Sequence, residues 1–445
     1  MATTLEALRR IGAGDRGIED AVGFAVGHRV RIEILAALHE GPASADGLSK
    51  IVRQPLNKVS YHLDELLKDG WIEVARSERI GNRFQDFYCV VKLAHFSDAD
   101  TAAMSRRERQ ALAGLILQAS LAEALASLWA TKIRDDPRVM LAWNRITLDR
   151  QGREDLADEQ AASWQRMEEI EGEAANRRAE SGEPGVTFII TSFGYERSRT
   201  SAPEPLRESL SPDSSEDSRR IKAKALAALR RIGKSERGIE DAVSYAIGHR
   251  IRIELLAALH EGPQTARVLA KTLKRRKSTV EHHLDELLKD GFIEIVGTER
   301  VGNLVQHLYC VVKLPFYTDE DVAAMTNEER QALAGLILQA AMAEALASLW
   351  AGKLHDDPRV MLAWNRITLD RQGRADLADE QARSWERMEE IEGEAANRRA
   401  ESGDPGVTFI ITSFGYERSR TSAPEPITDS TGREKLTGVP TSTDS

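Results

Sequence analysis

Val59-Ser-Tyr-His-Leu-Asp-Glu-Leu-Leu-Lys-Asp-Gly70 returns 221 positions later as Val280-Glu-His-His-Leu-Asp-Glu-Leu-Leu-Lys-Asp-Gly291. Val59, Leu63, Leu66 and Leu67 recur at the spacing of one helix face. Gly70 can take a positive φ and stop that helix. Trp71-Ile-Glu-Val then alternates, so a strand begins at once. Upstream, residues 44–52 read as a shorter helix, separated from the first by a break at Arg53-Gln54-Pro55. Downstream, residues 71–91 read as a hairpin with its tip within 77–82, where Gly81 and Asn82 supply turn chemistry.

Helix, tight turn, longer helix, hairpin is the order of a winged helix-turn-helix, whose second helix enters the DNA major groove. The repetition extends well beyond this motif. Leu5 aligns with Leu226 and Pro205 with Pro426 without a gap, so the chain is two units, about 1–205 and 222–426. Within the first unit, helices are expected at 19–25 and 28–39. After the wing, Ser97 or Asp98 can cap a short helix. A long helix follows at 107–132, where Leu112, Leu115, Ile116, Ala119, Ala122, Leu125 and Trp129 form an apolar stripe. Such a stripe must be covered by its own unit or by the other. Residues 138–149 read as a strand, 152–178 as a long helix, and the β-branched run 185–193 as a second strand.

The expected fold is mainly α with a small β component (α+β): two tandem winged helix-turn-helix units, each followed by a long helix and a small α/β module. The expected divisions are winged helix-turn-helix domains at 1–93 and 222–314 and helical α/β dimerisation or sensor modules at 97–202 and 318–423. The Pro/Ser/acid-rich stretch 203–221 reads as a flexible linker, and the polar tail 427–445 as disordered.

The net charge of −10 argues against a protein coated in positive charge, yet local patches decide nucleic-acid binding. Residues 222–313 carry 17 Lys/Arg against 11 Asp/Glu, whereas residues 1–93 carry 13 of each. The acidic excess therefore lies outside the winged-helix regions. The two cysteines, Cys89 and Cys310, occupy equivalent positions and read as small buried apolar residues. Nothing near them supplies a thiolate metal site, and so few cysteines fit a reducing cytoplasm. The first residues lack an apolar signal core. The apolar run 111–130 contains Gln118 and Glu123 and reads as a buried or interface helix, not a membrane span.

Gly27-His-Arg-Val-Arg-Ile-Glu-Ile-Leu-Ala-Ala-Leu, Val59-Ser-Tyr-His-Leu-Asp-Glu-Leu and their copies at 248 and 280 resemble the ArsR-like winged-helix transcription regulators, over about 75 residues per unit. The resemblance implies dimeric action on two-fold operators and, in some members, sensing of metals or small molecules. The thiolate cluster of the metal-sensing members is missing here, so no metal or cofactor is expected.

Candidate DNA contacts lie at the start of each second helix. In the first unit these are Asn57, Lys58, Ser60 and Tyr61; in the second they are Lys274, Arg275, Arg276, Lys277, Ser278, Thr279, Glu281 and His282. Lys and Arg neutralise phosphates, and side chains at this end reach base edges. His62 and His283 precede a core Leu and either contact phosphate or pack at the edge of the core. Arg79, Arg83 and Arg76 would arm the first wing; the second keeps only Arg300, with Leu304 and Gly297 at the other positions. The first unit thus leans on its wing and the second on its helix.

Divergence between the copies is uneven. Across 43–61 only Ala45, Leu48, Lys50 and Val59 match their partners, while across 134–205 only five positions differ. Change is concentrated where DNA would be read. Gly12-Ala-Gly-Asp-Arg-Gly17 fits a dinucleotide pattern but follows a helical stretch rather than a strand. Trp143, Trp164, Phe188, Phe193 and Tyr195 either pack a core or line an effector pocket. The reading is a cytoplasmic, non-enzymatic regulator of double-stranded DNA with no catalytic residues. It acts as an intramolecular pseudo-dimer on an asymmetric operator, with a domain-swapped homodimer as the alternative assembly. The rivals are a winged-helix protein-interaction scaffold and a regulator gated by a small-molecule effector in its C-terminal modules.

Overall fold

The computed structural model describes residues 2–417 except 12–15, 82, 92–100, 102, 130–139, 197–215, 234–236, 302–303, 313–316, 318 and 352–360. The tail 427–445, most of the stretch read as a linker, and the cap expected at Ser97 or Asp98 lie outside the described residues.

The first unit runs α1 (Ala2–Arg10), α2 (Gly17–Val26), α3 (Arg29–Leu38), β1 (Ala43–Ser44), α4 (Ala45–Ile51), α5 (Leu56–Lys68), β2 (Ile72–Ile80), β3 (Arg83–Val90), α6 (Arg106–Trp129), β4 (Met140–Leu148), α7 (Arg150–Ser181) and β5 (Val186–Glu196). The second repeats it as α8 (Glu216–Gly233), α9 (Ile239–Ile247), α10 (Arg250–Leu259), β6 (Gln264–Thr265), α11 (Ala266–Thr272), α12 (Lys277–Lys289), β7 (Ile293–Val301), β8 (Leu304–Val311), α13 (Asp319–Ala324), α14 (Asn327–Trp350), β9 (Met361–Leu369), α15 (Arg371–Ser402) and β10 (Val407–Glu417). Helices α1 and α8 open each unit ahead of the helix expected at 19–25, and α1 is the helical stretch read before Gly12. Buried Leu8 and Ile11, and Leu229 and Ile232, anchor them to the core. Helix α8 starts inside the polar stretch read as a linker.

Each winged domain carries a three-stranded sheet, ordered β1-β3-β2 and β6-β8-β7. Gly70 (φ 80°) and Gly291 (φ 84°) close the long helices at the left-handed position. Ile80 pairs with Arg83 across the Gly81 turn, so the wing tip is tighter than the sequence window.

The C-terminal strands join the two units. One sheet runs β4-β10-β5-β9, so β4 and β5 never pair with each other. Strand β4 pairs with β10 and β5 with β9, each across units. At the centre β5 and β10 pair about Ser192↔Ser413, which are equivalent residues, so the register is two-fold symmetric. The small α/β elements of each unit therefore complete one shared layer.

Side chains alternate across a strand, and this sheet is covered on both faces. Ile189, Phe193 and Tyr195 pack towards α6 and α14, in the cluster that runs through both winged domains. Phe188 and Ile190 face the other way, with Met167 and Ala174 of α7 and Leu377 of α15. By length and composition α6 and α14 could cross a membrane, but both are buried within the protein. They cover each other's apolar stripes as well as their own winged domains, which answers how those stripes are satisfied.

Charged pairs lock the two halves reciprocally. Arg145 reaches Glu344 and Arg366 reaches Glu123, each at 2.5 Å. Asp149 caps α7 by accepting from Gly152 N at 2.7 Å and also accepts from Arg398; Asp370 does the same with Gly373 N and Arg177. Those guanidinium partners hold both carboxyls down to about 2.

Candidate nucleic-acid interface

The helix-turn-helix of the first unit is built by caps. Ser44 accepts from Gly47 N at 3.2 Å to start α4. After Val52, Arg53 takes a left-handed φ of 49°. Gln54 N then donates to Ser49 O at 3.1 Å, while the Ser49 hydroxyl donates to Gln54 O at 2.6 Å. Pro55 supplies the extended residue before α5. The second unit repeats the device with Thr265 accepting from Val268 N, Lys274 at φ 53°, and Arg275 N donating to Ala270 O. Lys274, Arg275 and Arg276 thus occupy the turn, and Lys277 is the first residue of α12.

Helix α5 buries Val59, His62, Leu63 and Leu66, and α12 buries Val280, His283, Leu284 and Leu287. The opposite face carries exposed Asn57, Lys58 and Tyr61, with Ser60 at its margin. In α12 the same face carries exposed Lys277, Ser278 and His282, with Thr279 and Glu281 half-buried. Exposed Asp64 and Asp285 lie one turn further along. An acid there would repel phosphate, so the candidate surface is limited to the first two turns. The far ends are pinned by Arg16 to Glu65 and Asp69, and by Arg237 to Glu286 and Asp290.

The cations of the second unit differ in freedom. Lys277 pairs with Glu281 at 2.9 Å, and Arg275 stands 3.7 Å from Glu254. Among the described residues, Lys274 and Arg276 have no ion-pair partner within 4.0 Å. In the first unit Lys58 donates to Gln54 Oε1 at 3.1 Å. On the wings Arg79 and Arg300 are exposed. Arg83 begins β3, with its side chain outside the described ones, and Arg76 is held by Glu78 over the ring of Phe87.

His62 and His283, included among the DNA contacts but read from sequence either as phosphate contacts or as packing at the edge of the core, take the second place: they are buried at 4% and 7% exposure. Each stacks on the histidine that caps the preceding helix, His28 at 4.7 Å and His249 at 4.8 Å between ring centres. Burial, and then the neighbouring histidine, pushes each down to about 4. They are neutral wedges between α3 and α5, and between α10 and α12, rather than phosphate ligands.

Sequence reasoning missed two exposed apolar residues. Leu56, 47% exposed, opens α5 beside Asn57, where the second unit has Lys277. Pro55 just before it was the available signal, because it marks the helix start. Phe84, 78% exposed, stands near the tip of the first wing. The five aromatics weighed as an effector lining are split between the two faces of the shared sheet: Phe193, Tyr195 and Trp143 on one, Phe188 and Trp164 on the other. They do not line one cavity. Gly17 opens α2 in a chain that arrives from helix α1, so the glycine pattern there lacks the strand that a dinucleotide site needs; its residues 12–15 lie outside the described ones. Among the described residues no group of three or more His, Cys, Asp or Glu is placed to hold a metal.

A helix-turn-helix domain family model matches the chain twice, at residues 26–75 and 247–296. Both matches span the capped helix pair and the start of the wing, so the chain carries two helix-turn-helix domains in tandem. No curated protein and no solved structure matches it.

Proposed function

We propose that the chain is an ArsR-like transcription regulator that binds duplex DNA as a covalent pseudo-dimer and reads an asymmetric operator. The observation that carries this is a contrast within one molecule. The shared sheet is two-fold symmetric about Ser192↔Ser413, yet the outward surfaces of the first two turns of α5 and α12 differ: Leu56, Asn57, Lys58, Ser60 and Tyr61 stand where the second unit has Lys277, Ser278, Thr279, Glu281 and His282. A symmetric scaffold holds two readers in a two-fold relation, which matches the two half-sites of an operator. Unlike readers then select unlike half-sites.

Asn57, Lys58, Ser60 and Tyr61, with Arg79 and Arg83 of the wing, form the first reading surface. Lys274, Arg275, Arg276, Lys277, Ser278, Thr279, Glu281 and His282, with Arg300, form the second. The strand exchange in the sheet supports internal pairing, because neither unit alone forms that sheet. A domain-swapped homodimer would use the same contacts between two chains.

The balanced charge of residues 1–93 favours a second reading, in which the winged helices meet protein surfaces. Titration of binding to random duplex against salt separates the two. A DNA binder releases counterions and shows a steep slope of log affinity on log salt; a flat slope supports the scaffold.

A further inference from the structure

We propose that Phe84 is a wedge that enters the DNA minor groove and kinks the operator on the first-unit side only. This rests on the DNA-binding reading above and adds a contact that the charges do not supply.

Phe84 is the most exposed of the large apolar side chains described, at 78%. It pairs with Arg79 across the β2–β3 ladder, one step from the Gly81 turn. Directly paired residues on an antiparallel ladder project from the same face, so Phe84 and Arg79 leave the hairpin on one side. Arg79 is itself exposed and donates to Gly81 O at 3.3 Å; among the described residues it has no ion-pair partner. Ile80, 55% exposed, sits at the tip on the opposite face. Lower on the hairpin an aromatic is treated differently: Phe87 is half-buried under the Arg76 guanidinium, 4.2 Å from its ring centre. The hairpin covers its lower ring and leaves its upper one bare.

A bare ring beside a free cation fits an apolar slot with anionic walls. The minor groove of duplex DNA is such a slot: phosphates line its rims, and its narrow regions focus negative potential onto inserted Arg. A flat apolar side chain can then enter a base step and unstack it, most easily at a flexible pyrimidine–purine step. The second wing keeps the cation as Arg300 but pairs it with Val305, 66% exposed. Valine has no flat face to replace a stacked base. The first winged domain carries 13 basic and 13 acidic residues, so a wedge gives it hold where net charge does not. The geometry thus assigns the two wings different tasks.

The test uses the full chain and duplexes that it enriches from a random pool. Energy transfer between end labels reads the bend. The wild type should bend its site within the range of about 20–90° seen for wedge proteins, with the kink in one half-site. Phe84→Val, which copies the second wing, should straighten that half and weaken binding. Val305→Phe should add a kink to the other half. Both side chains are exposed, so circular dichroism should not change. An unchanged bend and affinity in Phe84→Val would overturn the proposal. So would a DNA-free dimer, seen by light scattering, that Phe84→Val dissolves, because the ring would then be covered by a second copy. If the intact chain enriches no duplex, the DNA-binding reading itself falls, and this proposal with it; loss of the bend alone leaves that reading standing.

Discussion

Gly27 and Gly248 meet back to back where the ends of α2 and α9 cross between the units: a Cβ on Gly27 would lie 2.5 Å from Gly248 Cα, and one on Gly248 would lie 2.4 Å from Gly27 Cα. These equivalent residues mark one end of the two-fold relation whose other end is Ser192↔Ser413 in the sheet. Each is followed by the histidine that caps the next helix, so this contact bears on the spacing of α3 and α10, against which α5 and α12 pack. Gly27→Ala should destabilise the protein by about 1–3 kcal/mol, the usual cost of forcing volume into a packed site. Urea unfolding measures it. The Gly27→Ala/Gly248→Ala double variant should depart from additivity, as contacting residues do.

The Arg145–Glu344 pair has side chains only 4% and 2% exposed. Arg145 also donates to His260 O at 2.9 Å, at the end of α10 in the opposite winged domain. Glu344→Gln should cost up to about 3–5 kcal/mol, the range for removing one partner of a buried ion pair. Arg145→Met combined with Glu344→Leu should recover much of that. A double-mutant cycle on unfolding free energies reads the coupling.

Acid should loosen the reading helices before it breaks the salt bridges. His62 and His283 titrate near 4 in the folded protein, below the ordinary histidine value near 6.5. A depressed histidine means that the unfolded chain binds more protons. Its contribution is full above the unfolded value and is lost as pH falls towards the folded one. Stability should therefore fall from about pH 6.5 towards 4, largely before carboxylates such as Asp149 and Asp370, held near 2, lose theirs. Replacing both histidines with Gln should flatten melting temperature over that window. An unchanged slope would mean that the rings protonate without cost.

Much of this architecture was legible in the residues, and the exceptions share physical causes. The helix pair and wing followed from a helical period broken by Gly70 and Gly291. Strand pairing did not follow, because the copies are nearly identical over 134–205: β4 presents the same pattern to β5 as to β10. Helix α8 was hidden because its first turn, Glu216-Asp-Ser, continues the composition of the polar stretch before it. The place of the histidines was left open between phosphate and core because position alone does not decide it. His62 lies next to Leu63 on α5, and only tertiary packing against His28 decides which way its ring turns.

Replacing Arg275, Arg276 and Lys277 together with Ala should reduce the salt slope on random duplex by about two to three units. Arg275 and Lys277 already face Glu254 and Glu281, so the single variants should rank with Arg276 first. Equal single effects would show that those ion pairs open on binding.

The most direct test of the account is selection of binding sites from a random pool, by the native chain and by one with residues 264–282 transplanted into 43–61. The native chain should enrich two unlike half-sites on one face of the duplex, about one helical turn or a multiple apart. The transplanted chain should enrich a palindrome of the second half-site. A native chain that enriches a perfect palindrome would contradict the claim that its two reading helices recognise different sequences.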